Sequence, residues 1–339
     1  MNAALRSRGG TGLLWTILAV VAVAVIAVVA VRRGGLLDLP SVPDGVTAES
    51  AGIANLDQLA RRAADLDAPR AGDSDAALVA ASTGLRAVRA GEVGPGLDSL
   101  RHALRLAPDD LVLGNAYRMT VLHLRRAALK DAQARAALAG RLPPAIEREP
   151  IAFFETLRRE HPSREVTLQL ALAWVDELML FPALEIKAPA SVESVTLLSG
   201  ILEHEPSYVP ALFGRGLNYL HRPSRLVWPE SKKMAPDAAS RDLAMCVAIG
   251  RKVGGASPRL IGTLALTLGD AYAREGRYEN ARSWWQIAQN TGGGPELGAA
   301  ARRRFAWDDR DVPDRLEQEL ETRMSDLDHP LSDLAVIWQ

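Results

Sequence analysis

The chain has 339 residues, of which 48% are hydrophobic, and its 40 basic and 41 acidic side chains leave a formal net charge of -1. This length and apolar fraction predict a globular protein with a sizeable core, and the near-zero charge argues against a general nucleic-acid or anionic-membrane binder. Cys246 is the single cysteine, which excludes an intrachain disulfide, a thiolate metal cage and a CxxC redox pair.

Residues 12–31 form an uncharged apolar run, GLLWTILAVVAVAVIAVVAV, behind a short N-terminal tail at 1–11. About 20 apolar residues is the length that crosses a hydrocarbon core of about 30 Å, so the run predicts a transmembrane anchor. A cleaved signal peptide is the alternative, although its apolar region usually has about 7 to 15 residues. Acidic Asp38 and Asp44 dilute the positive charge that follows the run, which favours an orientation with the N-terminus inside. Arginine greatly outnumbers lysine and alanine is abundant, as in proteins of GC-rich bacteria, so we expect a bacterial inner-membrane protein with a periplasmic C-terminal domain.

Residues 32–73 are rich in Gly, Pro and small polar residues and predict a tether with one possible short helix around Asn55 to Asp65. From Ser74 onward, segments with 3.6-residue apolar periodicity alternate with Pro, Gly or Asp, and no convincing strand pattern occurs. The expected fold class is therefore all-α, with an N-terminal transmembrane helix followed by a helical array over residues 74–306.

Within this array, residues 268–289 read LGDAYAREGRYENARSWWQIAQ. Gly269 and Ala281 are small where two helices would cross at close range, and Trp285 is bulky where neighbouring pairs would meet. This pattern resembles a tetratricopeptide repeat. Weaker copies in the same register include Gly84, Gly114 and Gly216. The resemblance implies a right-handed solenoid of about five or six degenerate helical hairpins.

Residues 307–339 predict a capping helix and a tail. Pro313 suits the first helical turn. One narrow apolar stripe runs along the helix, formed by Leu316, Leu320, Met324 and Leu327. Such a helix can close a repeat array, with one face against the last repeat and one in water. The final segment, HPLSDLAVIWQ, is apolar enough to dock back on the body, and a partner-binding tail is the alternative.

No catalytic, metal-binding or cofactor motif is recognisable in the chain. The six histidines never occur as HxxxH or HExxH, the glycine clusters near Gly254 and Gly292 have neither a preceding strand nor a phosphate-loop lysine, and no GxSxG occurs. Cys246 lies among apolar neighbours and is expected to be a buried thiol. We therefore expect no enzyme, cofactor, metal, nucleic-acid or small-molecule site.

The resemblance to tetratricopeptide repeats implies that protein partners bind in a concave groove lined by the first helix of each pair. The positions that would face this groove are Asn115, Arg118, Met119, Phe213, Leu217, Leu220, His221, Asp270 and Arg274. Their mixed polar and apolar character suits recognition of a peptide's side chains and backbone together. The expected function is a membrane-anchored scaffold or assembly factor, with a permanent structural subunit of a larger membrane complex as the alternative.

An insertion at 221–236, HRPSRLVWPESKKMAP, separates the two helices of one predicted pair. Its length exceeds the few residues that usually join such helices, and ordered loops of this kind are often functional. The candidate contact residues in it are Arg222, Arg225, Trp228, Lys232 and Lys233. Either Trp228 folds back on the helices while the charges stay in water, or Trp228 anchors a partner and the basic residues meet acidic groups or lipid headgroups.

Overall fold

A computed structural model describes residues 39–53, 56–68, 75–130, 149–180, 184–222, 237–323, 329 and 332–338. Across these residues the chain forms thirteen α-helices and one short 3₁₀ helix, with no strand. The all-α prediction is confirmed. The predicted tail 1–11, the predicted span 12–31 and most of the insertion at 221–236 lie outside the described residues.

The helices follow one another along the whole described chain. In order they are α1 (Leu56–Asp67), α2 (Ala76–Arg89), α3 (Val93–Leu106), α4 (Leu111–Lys130), α5 (Glu149–Glu160), α6 (Arg164–Leu180), α7 (Leu184–His204), α8 (Val209–Leu220), α9 (Ala238–Val253), α10 (Pro258–Arg274), α11 (Tyr278–Asn290), α12 (Pro295–Phe305) and α13 (Val312–Arg323). The 3₁₀ helix spans Leu334–Ile337 near the C-terminus.

Local sequence signals explain where several helices begin and end. Asp75 caps α2 by accepting a hydrogen bond from the Leu78 amide at 3.0 Å. Ser257 caps α10 in the same way, and Pro258 occupies the first helical turn. At the end of α9, Gly254 takes a left-handed φ of 71°, a conformation that side chains with a Cβ rarely adopt. The glycine cluster therefore terminates the helix.

In two of the helical hairpins, α2–α3 and α10–α11, a glycine lies where the helices cross. A Cβ added to Gly84 of α2 would lie 2.6 Å from the carbonyl oxygen of Gly96 in α3. A Cβ added to Gly269 of α10 would lie 2.5 Å from Cδ1 of Trp285 in α11, next to the fully buried Ala281. Each hairpin therefore packs at a distance that only glycine allows, as the sequence predicts for Gly269.

The hairpins α6–α7, α8–α9 and α10–α11 follow one another, and each packs on the next. Their first helices also touch in sequence order, since α4 contacts α6, α6 contacts α8, and α8 contacts α10. Trp284 and Trp285 are both 1% exposed and fill the core around α11. This arrangement is compatible with an all-α solenoid and places α4, α6, α8 and α10 in one continuous layer.

The residues before α1 pack on the helical body from Pro40 onward. Val209, the first residue of α8, donates its amide to the Ala51 carbonyl oxygen at 3.0 Å, and Ala51 is fully buried. Lys252 of α9 donates to the carbonyl oxygens of Val42 at 3.1 Å and Pro43 at 2.9 Å. This stretch therefore contacts α8 and α9 before the first helix begins.

After the last hairpin, helix α13 contacts α10. Its predicted apolar stripe faces inward, because Leu316 is 1% exposed and Leu320 is 4% exposed. The remaining stripe positions, Met324 and Leu327, lie outside the described residues.

The predicted membrane localisation requires a correction. Among the described residues, no helix is both long enough and apolar enough to cross a membrane. The longest of them, α7 with 21 residues, carries the charged residues Glu185, Lys187, Glu193 and Glu203. This finding conflicts with the prediction of a single-pass inner-membrane protein with a periplasmic C-terminal domain, and that prediction is wrong by this criterion.

Candidate functional site

The C-terminal segment, residues 332–338, lies on the layer of first helices that the repeat resemblance assigned to partner binding. Its 3₁₀ helix contacts α4 and α10. Five of its seven residues are buried, namely Ser332, Leu334, Val336, Ile337 and Trp338. Of the two alternatives that the sequence left open for the tail, the structure shows docking on the body. We call the surface of α4, α6 and α10 that this segment covers the groove.

Arg118 joins α4, α6 and the C-terminal segment at the centre of the groove. Its side chain is 0% exposed. The guanidinium donates to Asp176 Oδ1 at 2.7 Å, Ser332 Oγ at 2.8 Å, Asn115 Oδ1 at 3.0 Å, Gln169 Oε1 at 3.3 Å and the Ser332 carbonyl oxygen. A buried charge is tolerated when it is paired and hydrogen-bonded, and Arg118 meets both conditions.

Asp176 of α6 supplies the opposite charge, at 1% exposure. Besides the bond from Arg118, it accepts a hydrogen bond from the Ser332 hydroxyl. Burial raises the pKa of Asp176 to about 6, although the Arg118 charge and the Ser332 hydroxyl both act to lower it. The carboxyl group therefore gains its proton in mildly acidic solution, unlike an exposed aspartate.

Asn115, one turn before Arg118 on α4, contacts the next part of the C-terminal segment. Its Nδ2 donates to Asp333 Oδ1 at 2.8 Å, and its Oδ1 accepts from the Leu334 amide at 3.0 Å. Asp333 Oδ1 also accepts from the Ala335 amide at 2.8 Å and so caps the 3₁₀ helix. Because an asparagine side-chain amide carries both a donor and an acceptor, Asn115 can bond the Asp333 side chain and the Leu334 backbone at the same time.

The apolar residues predicted for the groove lie inside the protein in this conformation. Phe213, Leu217 and Leu220 of α8 are each at most 2% exposed. Met119 forms a buried cluster with Leu122 and Leu180. Its Sδ also lies 3.7 Å from Ser332 Oγ. As partner contacts these four positions stay predictions, and here they contribute to the core.

Two predicted polar positions on α10 hold neighbouring helices together. Asp270 is 0% exposed and accepts from Trp285 Nε1 at 2.9 Å and from Arg304 Nε at 2.7 Å. Arg274 donates to the Leu220 carbonyl oxygen and to Glu317 Oε2 at 3.0 Å. Both side chains therefore fix the positions of α8, α11, α12 and α13 around α10 in this conformation.

Only the first two residues of the 221–236 insertion are described. The ring of His221 stacks edge-on against that of His329, with 4.7 Å between ring centroids. Arg222 is 6% exposed, donates to Ser191 Oγ at 3.1 Å and lies 5.1 Å from the centre of the Tyr219 ring. The expectation that Arg222 is exposed is wrong, because both Arg222 and its partner Ser191 are buried. Its role as a partner contact stays a prediction. Arg225, Trp228, Lys232 and Lys233 lie outside the described residues.

Sequence reasoning named Asn115 and Arg118 but missed their partners Gln169, Asp176 and Ser332. One signal for Asp176 was present, because it interrupts the apolar stretch LALAWVDELML of α6. An ionisable residue on an otherwise buried helix needs a partner of opposite charge or a hydrogen-bonding group. Ser332 carries no comparable signal, since serine is common in tails that face water.

Cys246 is the remaining residue with reactive chemistry that the sequence singled out. Its thiol is 0% exposed and donates to the Val209 carbonyl oxygen at 3.8 Å. Burial raises the pKa of this thiol well above its usual value. The predicted burial of this thiol is confirmed. Within the part of the chain that the structure describes, no group of three or more His, Cys, Asp or Glu side chains could hold a metal ion.

Comparison of the chain with protein-family models gives no match, and comparison with curated proteins gives none either.

Proposed function

We propose that this protein is a tetratricopeptide-like helical scaffold that binds protein partners through a short peptide segment in the groove. The observation that carries the proposal is the C-terminal segment itself. Its backbone and side chains are held in the groove by Asn115 and Arg118, in the way that a peptide ligand would be held. The groove therefore has the shape and hydrogen-bonding groups to accept a polypeptide.

The arrangement of helices supports this function. Consecutive hairpins bring the first helices α4, α6, α8 and α10 into contact, and repeat arrays commonly bind extended chains on such a surface. A resemblance to tetratricopeptide repeats at residues 268–289 agrees with the close crossing at Gly269. The scaffold proposal concerns this helical body alone.

The chemistry of the groove favours a polypeptide over a small charged ligand. Arg118 and Asp176 are paired with each other, so the centre of the groove presents a neutral pair. The groups that remain for a ligand are one amide, hydrogen-bonding positions around the pair, and apolar surface. This combination suits a backbone carbonyl, a hydroxyl and apolar side chains, which a peptide supplies together.

The test is affinity purification of the tagged full-length chain from extract of its own host cell, with quantitative mass spectrometry of what is retained. The wild type is compared with Asn115→Ala, which removes the side-chain amide that would contact a peptide bound in the groove. The matched control is Asn290→Ala, an exposed position at the end of α11. We expect at least one protein whose recovery falls about tenfold with Asn115→Ala and is unchanged with Asn290→Ala.

Thermal unfolding of both variants must show a folded protein for the comparison to count. The proposal fails if folded Asn115→Ala retains every protein that the wild type retains, in the same amounts.

A further inference from the structure

The C-terminal segment reads Ser-Asp-Leu-Ala-Val-Ile-Trp, and the groove contacts it in a position-specific manner. We propose that this segment is a resident pseudoligand, and that the groove selects partner peptides with the same chemistry. That chemistry is a hydroxyl residue, then an acidic residue, then apolar residues at the third, fifth, sixth and seventh positions. The proposal rests on the proposed function, since it names the class of segment that the scaffold would bind.

The first position requires a hydroxyl group because of the buried pair. Ser332 is 0% exposed, donates its hydroxyl to Asp176 and accepts from Arg118 through both its hydroxyl and its carbonyl oxygen. A ligand without this hydroxyl would leave one buried N–H of Arg118 without its acceptor and remove one of the two donors to Asp176 Oδ1. Such losses are costly, so serine or threonine is expected at this position.

The second and third positions are read by Asn115. The Asp333 carboxylate accepts from the Asn115 amide and from the Ala335 amide, each at 2.8 Å. The same carboxylate therefore contacts the groove and caps the 3₁₀ helix of the bound segment. The Leu334 amide then donates to Asn115 Oδ1 at 3.0 Å. An acidic residue at the second position consequently serves both the groove and the bound conformation.

The remaining positions separate into buried and half-buried side chains. Leu334, Val336, Ile337 and Trp338 are between 0% and 7% exposed, whereas Ala335 is only half-buried. Because the 3₁₀ helix is short, its stability comes from this packing on α4 and α10. The apolar positions therefore supply most of the affinity, and the fourth position is expected to tolerate substitution.

A tethered segment competes with any external peptide for the same groove. A segment of the same chain faces its own groove at an effective concentration on the order of millimolar. A partner peptide must therefore bind much more weakly to the full chain than to a chain whose own segment is displaced. This difference separates a pseudoligand from a segment that is only part of the core, since a permanent core element leaves no groove for a ligand.

The test uses full-length chains and a fluorescein-labelled peptide with the sequence of residues 329–339, followed by fluorescence anisotropy. The substitution Ile337→Asp in the chain places a carboxylate at a 0% exposed position and displaces the segment. We expect the peptide to bind this variant at least tenfold more tightly than it binds the wild-type chain.

Two altered peptides measure the selectivity of the groove. Ser332→Ala in the peptide should weaken binding by about tenfold, because it removes a hydrogen bond to a charged group. Ala335→Ser is the matched control at the half-buried position and should leave the affinity unchanged. The proposal is overturned if the folded Ile337→Asp chain does not bind the peptide, or if all peptides bind it equally.

A second measurement on the wild-type chain covers the case in which Ile337→Asp does not fold. Hydrogen exchange is followed by mass spectrometry with and without an excess of the peptide, which carries a heavy-isotope label. When the added peptide occupies the groove in place of the chain's own segment, the backbone amides of residues 334–338 should exchange at least threefold faster. The exchange rates of the α2 amides should stay unchanged. No acceleration at millimolar peptide overturns the proposal.

The outcomes also separate this inference from the proposed function. If the labelled peptide binds but no protein in the extract depends on Asn115, the recognition chemistry is supported and the scaffold function is rejected. An Asn115-dependent partner without peptide binding would keep the scaffold and reject the pseudoligand.

Discussion

Replacing Arg118 by methionine tests the buried centre of the groove. The substitution roughly preserves the apolar stem and removes the guanidinium that bonds Asn115, Gln169, Asp176 and Ser332. Losing these hydrogen bonds is expected to destabilise the protein by about 2 kcal/mol, since each contributes about 0.5 to 1.5 kcal/mol and some are replaced by relaxation. The loss of the charge adds a second contribution that depends on pH.

That second contribution follows from Asp176. With the cation present, the pKa of Asp176 is about 6, so the carboxylate is mostly ionised at pH 7. Without the cation the pKa of this carboxyl rises, so the group is more protonated at pH 7, and this adds a cost on the order of 1 kcal/mol. At pH 5 the group is mostly protonated with or without Arg118, and this contribution disappears. The expected total is therefore about 3 kcal/mol at pH 7 and about 2 kcal/mol at pH 5.

Urea unfolding followed by far-ultraviolet circular dichroism measures both values. The matched control is Arg89→Met, which breaks an ion pair with Asp67 in which both side chains are more than 60% exposed. It should change the free energy of unfolding by less than about 0.5 kcal/mol at either pH. A cost below about 1 kcal/mol for Arg118→Met at pH 7, or a larger cost at pH 5 than at pH 7, would refute the reasoning.

Three further predictions follow from single residues. Because burial raises the pKa of Asp176 to about 6, its contribution to stability is largest below about pH 4 and is lost as the pH rises through 6. The free energy of unfolding of the wild type minus that of Asp176→Asn should thus fall by about 2 kcal/mol between pH 4 and pH 7, measured by urea titration, and a rise would contradict this sign. Gly269→Ala should destabilise by about 1 to 3 kcal/mol, because its Cβ would lie 2.5 Å from Trp285, while Gly200→Ala, which has no neighbour within 4 Å, should stabilise slightly in thermal unfolding. Cys246 should react with a thiol reagent only after denaturant unfolds the protein, and fast labelling of the native chain would show that the site opens.

Helix positions and their ends could be predicted from the sequence because their causes are local. Ser257 and Pro258 start α10, and Gly254 stops α9, within a few residues of the groups they affect. The close crossing at Gly269 was also readable, since a small residue and Trp285 occur at a spacing typical of one helical hairpin. Capping, periodicity and tight crossings act over one or two helices at most.

The groove could be predicted only in part. The resemblance to tetratricopeptide repeats pointed to Asn115 and Arg118, and both contact the C-terminal segment. Their burial did not follow from that resemblance, because the surface is covered by residues 332–338, more than two hundred positions along the chain. The exposure expected for Arg222 failed for a similar reason, as its partner Ser191 lies on a different helix.

The sequence by itself determined the helical class of this protein, the boundaries of many helices and the residues that allow close crossings, because backbone hydrogen bonds and caps act within a few residues. Only the tertiary structure decided which charges meet. Arg118 pairs with Asp176 across 58 positions and with Ser332 across 214. A buried charge is stable only where helix packing brings its partners within hydrogen-bonding distance, and that distance is set by the packing of the whole body.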